Sequence, residues 1–294
     1  MDMTNMIGMT NMLNMTGSFP RIPLGQWLEA AIDFLVTHLA PATRAFSAVT
    51  ESGLNLLEAG LDALPPPLVI AFVGLAAWRV TRKAGLGVFA VAGLALVWNM
   101  GLWQATMSTL ALVLVATLLA VLVGIPLGIA AAMSNRARAV VMPVLDVMQT
   151  MPAFVYLIPA IPFLGLGKVA AVFATVIFAM PPAIRFTCLG IRQVPAELVE
   201  CAEAFGTGRF QRLVKLELPL AAPTMLAGVN QTVMLALSMV VIAAMIGARG
   251  LGGEVWKAIQ RLEMGNGFEA GIGIVIVAIC LDRILQHVGK RVGG

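Results

Sequence analysis

Apolar positions along this chain run in long blocks. No Asp, Glu, Lys or Arg falls among the 52 residues between Lys83 and Arg136, the 21 between Asp146 and Lys168, or the 31 between Glu217 and Arg249. A helix needs roughly 20 mostly apolar residues to cross the hydrocarbon core of a bilayer. The first block therefore predicts two spans and the other two predict one each. Shorter uncharged blocks after Asp62, Lys168 and Glu269 reach span length once flanking side chains extend to the interface. Seven spans are expected, over 65–80, 85–102, 105–134, 141–164, 168–190, 219–247 and 268–288. Because hydrocarbon satisfies no backbone hydrogen bond, the fold class is an all-α polytopic membrane protein.

Ahead of the blocks the pattern changes twice. Residues 1–20 begin with a Met/Asn/Thr repeat, Met-Thr-Asn-Met at 3–6 and again at 9–12, and read as a disordered Met-rich tail. Over 21–64, Trp27, Leu28, Ala31, Ile32 and Leu35 fall at helical spacing, followed after Pro41 by Phe46, Val49, Leu54, Leu57 and Leu61. Polar residues interrupt this stretch too often for a span, so one or two amphipathic helices lying in the membrane interface are expected. The remainder divides into two peripheral spans over 65–103 and a core over 104–290 that carries a long loop, 195–219.

Composition supports the membrane class: 60% of the residues are hydrophobic and 12% charged, against about 25% charged in a soluble chain. The Lys and Arg residues give an orientation, since short loops rich in them stay in the cytoplasm. Placing Arg136, Arg138, Arg185, Arg192, Arg209, Arg212 and Lys215 inside puts the N-terminus outside and the C-terminus in the cytoplasm. Topology then accounts for the net charge of +4, and no basic stripe interleaved with aromatics points to nucleic acid. Cys188, Cys201 and Cys280 lack a C-x-x-C spacing, so neither a disulfide nor a metal site is expected. The glycine-rich segment Gly247–Gly253 lacks the Gly-Lys-Ser/Thr ending of a phosphate loop and reads as a flexible outer turn, with Glu254 and Lys257 free for contacts.

In the 195–219 loop, Pro195 suits the first position of a helix, Glu197 places negative charge in its first turn, and Gly206 suits its end. Between them Leu198, Cys201, Ala202 and Phe205 form one apolar stripe, with Glu197, Glu200 and Glu203 on an acidic side. Such a helix would also suit a surface element resting on the membrane or on neighbouring helices.

The order of residues goes further. Glu200-Cys201-Ala202, three residues, Gly206, nine residues, then Leu216-Glu217-Leu218-Pro219 resembles the EAA loop of ATP-binding-cassette importer permeases. That pattern reads Glu-Ala-Ala, three residues, Gly, nine residues, Ile, any residue, Leu-Pro. Cys201 for Ala and Leu216 for Ile are the departures, and both keep size and apolarity. The resemblance implies a type I importer permease fold and a coupling helix over 196–206 that docks on a separate ATPase. Glu197, Glu200, Cys201, Ala202, Phe205, Gly206, Leu218 and Pro219 would serve that contact. It also implies a symmetric pair of permeases, two cytoplasmic ATPases that bind the ATP and Mg, an extracytoplasmic binding protein, and no bond chemistry or cofactor on this chain.

Two further stretches, Asp146 to Tyr156 and Ala227 to Ile242, are similar to permeases of glycine betaine, proline betaine and choline importers, and the likeness runs from about Pro65 to Leu285. Quaternary ammonium cargo suits a pathway with no formal charge at mid-depth. Gln149, Thr150, Phe154, Tyr156, Asn230, Gln231, Met234 and Ser238 are the candidate pathway residues. For Asn230 and Gln231 the competing role is hydrogen bonding between helices, and for Asp146 it is an ion-pair anchor near Arg136 and Arg138. Alternatives to the whole reading are a permease of this family for an amino acid or other osmolyte, and a stand-alone secondary transporter or channel. The latter would require an intramembrane ionisable site.

Overall fold

The computed structural model describes residues 24–292. The expected tail over 1–20 lies outside the described residues. The chain divides into two units, Met1–Ala40 and Pro41–Gly294. In the first, the described residues are helical throughout and leave Trp27, Leu28 and Leu35 exposed. They belong to α1, Leu24–Asp62, which contains Pro41 instead of ending there.

In the second unit the remaining helices are α2 (Pro66–Thr81), α3 (Ala84–Asn99), α4 (Trp103–Met133), α5 (Asn135–Thr150), α6 (Leu157–Leu164), α7 (Lys168–Arg192), α8 (Ala196–Ala204), α9 (Arg209–Arg212), α10 (Leu218–Ala244), α11 (Leu251–Arg261) and α12 (Met264–Val292). A 3-10 turn, Ala153–Tyr156, precedes α6, and a π turn, Leu213–Glu217, joins α9 to α10. Among the described residues three helical stretches, α4, α7 and the run Arg209–Ala244, are long and apolar enough to cross a membrane. The count rises to five if each of two bent helix pairs is one span.

The centre of this unit is α7, packed between α4 and α10. Their contacting faces carry small side chains: Ala116, Ala120, Ala171, Ala174, Ala179, Ala236 and Ala243 are all fully buried. Helices in lipid gain little from hydrophobic exclusion, so they associate by close van der Waals approach, which small residues permit. The opposite face of α4 exposes Leu114, Leu118 and Leu122, four residues apart, as a lipid-facing stripe would require. Four of the buried hydroxyls are satisfied within their own helices, whereas that of Thr117 on α4 has no partner among the described residues. Thr106, Thr109, Thr175 and Thr232 each donate to the carbonyl four residues back.

The expected fourth span over 141–164 is not one continuous helix. The stretches Asn135–Thr150 and Ala153–Leu164 meet at an angle of 113°. Proline excludes the α conformation from the residue before it, and Met151 is accordingly extended at φ −72, ψ 135. Pro152 also has no N–H to offer the carbonyl of Met148. That orphaned oxygen accepts instead from the hydroxyl of Tyr156, the single tyrosine of the chain.

The glycine-rich segment is a packed junction, not a loose turn. Leu251 is fully buried, its backbone N–H donates 2.8 Å to Thr109 Oγ1, and Gly252 lies against the backbone of Val240. Glycine serves close approach here. Glu254 and Lys257 are not free either, since they pair with each other at 2.9 Å.

Candidate functional site

The 195–219 loop leaves α7 at Arg192 and re-enters the helical core at α10. Pro195 stands one residue before the first helical residue, and its carbonyl accepts from Leu198 and Val199 at 3.1 and 3.4 Å. Glu197 occupies the first turn of α8. At the other end Gly206 turns the chain at φ +76 with open space around it. The requirement there is conformational, because a left-handed backbone disfavours any side chain with a Cβ. The Thr207 hydroxyl and N–H both reach back to the carbonyl of Ala202, closing the last turn.

No residue of α8 is buried. Leu198 is exposed, Cys201 is exposed, and Phe205 is 84% exposed, while Ala202 is half-buried. The apolar stripe therefore faces away from the rest of the chain, which removes the reading of α8 as a helix resting on its own neighbours. Phe210 on α9, 78% exposed, extends the apolar surface. Its position just outside the amphipathic pattern left it unmarked in the sequence.

Behind this surface lies an ionic connection that the sequence did not reveal. Arg212 pairs with Glu203 of α8 and, through Nε at 2.8 Å, with Glu217. Glu217 is only 6% exposed. Leu218 and Pro219 follow directly and begin α10.

The candidate pathway residues do not form one cluster. Gln149 and Thr150 are exposed at the end of α5, with Thr150 Oγ1 donating to the Val147 carbonyl at 2.9 Å. Phe154 is exposed in the 3-10 turn. Tyr156 is buried, its hydroxyl engaged and its ring edge-on to Phe178 with centroids 5.7 Å apart. On α10, Gln231 and Ser238 are exposed, Met234 is half-buried, and Asn230 is buried.

The Asn230 amide nitrogen donates 2.8 Å to Asp282 Oδ1 on α12, and Gln286 donates to the same carboxylate at 2.7 and 2.9 Å. That geometry fits the interhelical role. Asn230 and Gln231 nevertheless share the lining of a cavity of about 540 Å³ between α7, α10 and α12, along with Phe186 and Gln286. Asp146 is anchored as an ion pair, but its partner is Arg185 of α7, not Arg136 or Arg138. Among the described residues no group of three or more His, Cys, Asp or Glu is placed to hold a metal ion.

Comparison with known proteins bears on this arrangement. Two forms of the inward-facing MetNI methionine ABC transporter superpose with TM-scores of 0.54 and 0.56. Each is 21% identical, and the match covers 63% and 65% of this chain and 91% and 94% of theirs. At that identity the likeness is one of fold. The chain is 50% identical to the glycine betaine/carnitine transport permease protein GbuB of Listeria monocytogenes, over 93% of this chain and 98% of that protein. It is also 50% identical to the glycine betaine transport system permease protein OpuAB of Bacillus subtilis, over 92% and 95%. With the glycine betaine/proline betaine permease ProW of Escherichia coli the identity is 48%, over 92% and 76%. A family model described as the binding-protein-dependent transport system inner membrane component matches residues 124–294. The exposed α8 helix and the core that follows it thus lie within the matched region, and the chain belongs to the family of inner-membrane components of binding-protein-dependent transport systems.

Proposed function

We propose that the chain is the permease subunit of an ATP-driven importer of quaternary ammonium osmolytes, with glycine betaine as cargo and α8 as the helix through which a separate ATPase drives it. The single observation that carries the coupling role is the outward-facing stripe of α8, set in the Glu-x-Ala, Gly, Leu-Pro spacing of the loop. The cargo is supported by half-identity, over nearly the full chain, to permeases named for glycine betaine.

In this reading the helices from 65 to 288 make seven spans and residues 24–64 lie in the interface against membrane lipid. The N-terminus is outside and the C-terminus, with the 195–219 loop, is cytoplasmic. Two copies of the chain enclose the pathway, two ATPases below them bind the ATP and Mg, and an extracytoplasmic binding protein delivers the cargo and provides most of the selectivity. Gln231, Met234 and Ser238 on α10, with Gln149, Thr150 and Phe154, border the path. Asn230 contributes at its inner cavity while holding α12, and Tyr156 holds the broken helix in place.

Proteoliposomes containing the chain, its ATPase and its binding protein test this directly. ATP-dependent uptake of radiolabelled glycine betaine, competed by proline betaine or choline and not by an amino acid, is the expected result. Uptake at full rate without any ATPase would make the chain a stand-alone transporter and overturn the proposal. ATP-dependent uptake of an amino acid with none of betaine would keep the family and change the cargo.

The turn that ends α8 yields a graded expectation. Gly206→Ala forces a Cβ into a left-handed backbone at a cost of about 1–2 kcal/mol, whereas Asn tolerates that region better. Uptake should fall several-fold for Gly206→Ala and less for Gly206→Asn. Equal loss in both would point to a steric requirement at this position instead.

A further inference from the structure

We propose that Arg212 is a positioning residue of the transport cycle: a side-chain strut that carries displacement of α8 to the base of α10 through Glu203 on one side and Glu217 on the other. The inference rests on the reading of α8 as the ATPase contact and adds how force leaves that helix.

Three observations carry it. First, α8 is poorly attached to its own chain. It buries no residue, and the segment leading out of it contains Gly206 and Gly208, one in a left-handed conformation. Neither glycine has any group within 4 Å of where its Cβ would lie, so this segment gives α8 little packing attachment. Among the described residues, Glu203 is the one charged residue of α8 in an ion pair, and its partner is Arg212.

Second, the other end of the strut is firmly held. Glu217 has a nearly fully buried carboxylate, and a buried anion without a counter-charge is strongly destabilising. Arg212 Nε lies 2.8 Å from Glu217 Oε1. This contact is one of charge, since Nε–H is not aligned with any acceptor. A planar guanidinium can address two carboxylates on different edges at once, which an ammonium cannot.

Third, the backbone is distorted where the strut requires it. Residues 212 and 217 are five apart, a separation that in an α-helix of 3.6 residues per turn puts side chains about 140° apart. Between them the chain forms a π turn, closed by Leu218 N–H to the Leu213 carbonyl, five residues back. The wider turn brings positions five apart toward the same side. Single π turns within helices recur at functional sites, and this one ends on the residue before α10 begins.

The test uses the reconstituted complex with ATPase and binding protein, and reads ATPase co-purification, ATP hydrolysis and betaine transported per ATP. Glu203 is exposed, so Glu203→Gln should assemble like wild type while transport per ATP falls roughly tenfold, within the usual range of inter-site coupling. Arg212→Lys keeps a positive charge near Glu217 but loses the two-sided contact, and the same loss is expected. In Glu203→Gln/Arg212→Gln the loss should be no greater than in Arg212→Gln alone, because both changes cut one connection. A wild-type ratio in Glu203→Gln, or additive losses in the double variant, would overturn the strut. If wild type itself recruits no ATPase, the functional reading fails instead.

Discussion

Phe205→Asp is expected to abolish uptake while leaving the permease folded. The side chain is 84% exposed, so the chain itself loses almost no packing. An aromatic anchor seated in a partner groove, by contrast, commonly contributes 2 kcal/mol or more, a loss of about 30-fold in affinity when removed, and a carboxylate buried in its place weakens the contact further. Co-purification of the ATPase should fall in step with uptake, and the thermal unfolding midpoint of the isolated permease should stay at the wild-type value. Wild-type co-purification in this variant would mean that α8 is not the docking surface.

Gly252→Ala should have the largest effect on stability among single-methyl changes. A Cβ at this position would sit 2.3 Å from the carbonyl oxygen of Val240 and 2.6 Å from its carbon. Both are backbone atoms of α10, so no rotamer change relieves the clash and α11 must move away. Overpacking costs typically about 1–3 kcal/mol where side chains can adjust, so this substitution belongs at or above the top of that range. A drop of several degrees or more in the unfolding midpoint of the detergent-solubilised chain is the expected reading. Gly271→Ala, with nothing within 4 Å of its Cβ in α12, is the matched control. It should be neutral or slightly stabilising, because Ala is the better helix former by about 1 kcal/mol. Equal behaviour of the two variants would show that the α10–α11 contact is not close.

Much of the local structure of the 195–219 loop was legible beforehand because its information is local. The apolar stripe from Leu198 to Phe205, the turn at Gly206 and the start of α10 at Leu218–Pro219 depend on residues within one or two turns of each other. Helical period and backbone preference act over that range. The long uncharged blocks were equally readable: the expected 105–134 and 168–190 correspond to Trp103–Met133 and Lys168–Arg192. The size of the effect of Pro152 within the expected 141–164 span was not legible. Whether a proline kinks a helix or parts it depends on what receives the freed carbonyl, and here the Tyr156 hydroxyl does so.

The sequence by itself determined that the chain is apolar enough to live in a membrane, that an amphipathic helix lies in the loop before its last long apolar block, and which side of that helix is apolar. Only the tertiary structure decided the pairings. Asp146 meets Arg185, Asn230 meets Asp282 across 52 residues, and Glu203 meets Glu217 through Arg212. Periodicity tells which face of a helix is turned inward but not which neighbour awaits it there, and charges or amides find partners according to how helices are stacked. The loop over 195–219 illustrates both halves: its outer stripe could be read from spacing, whereas the strut behind it depends on a π turn that brings residues five apart onto one side.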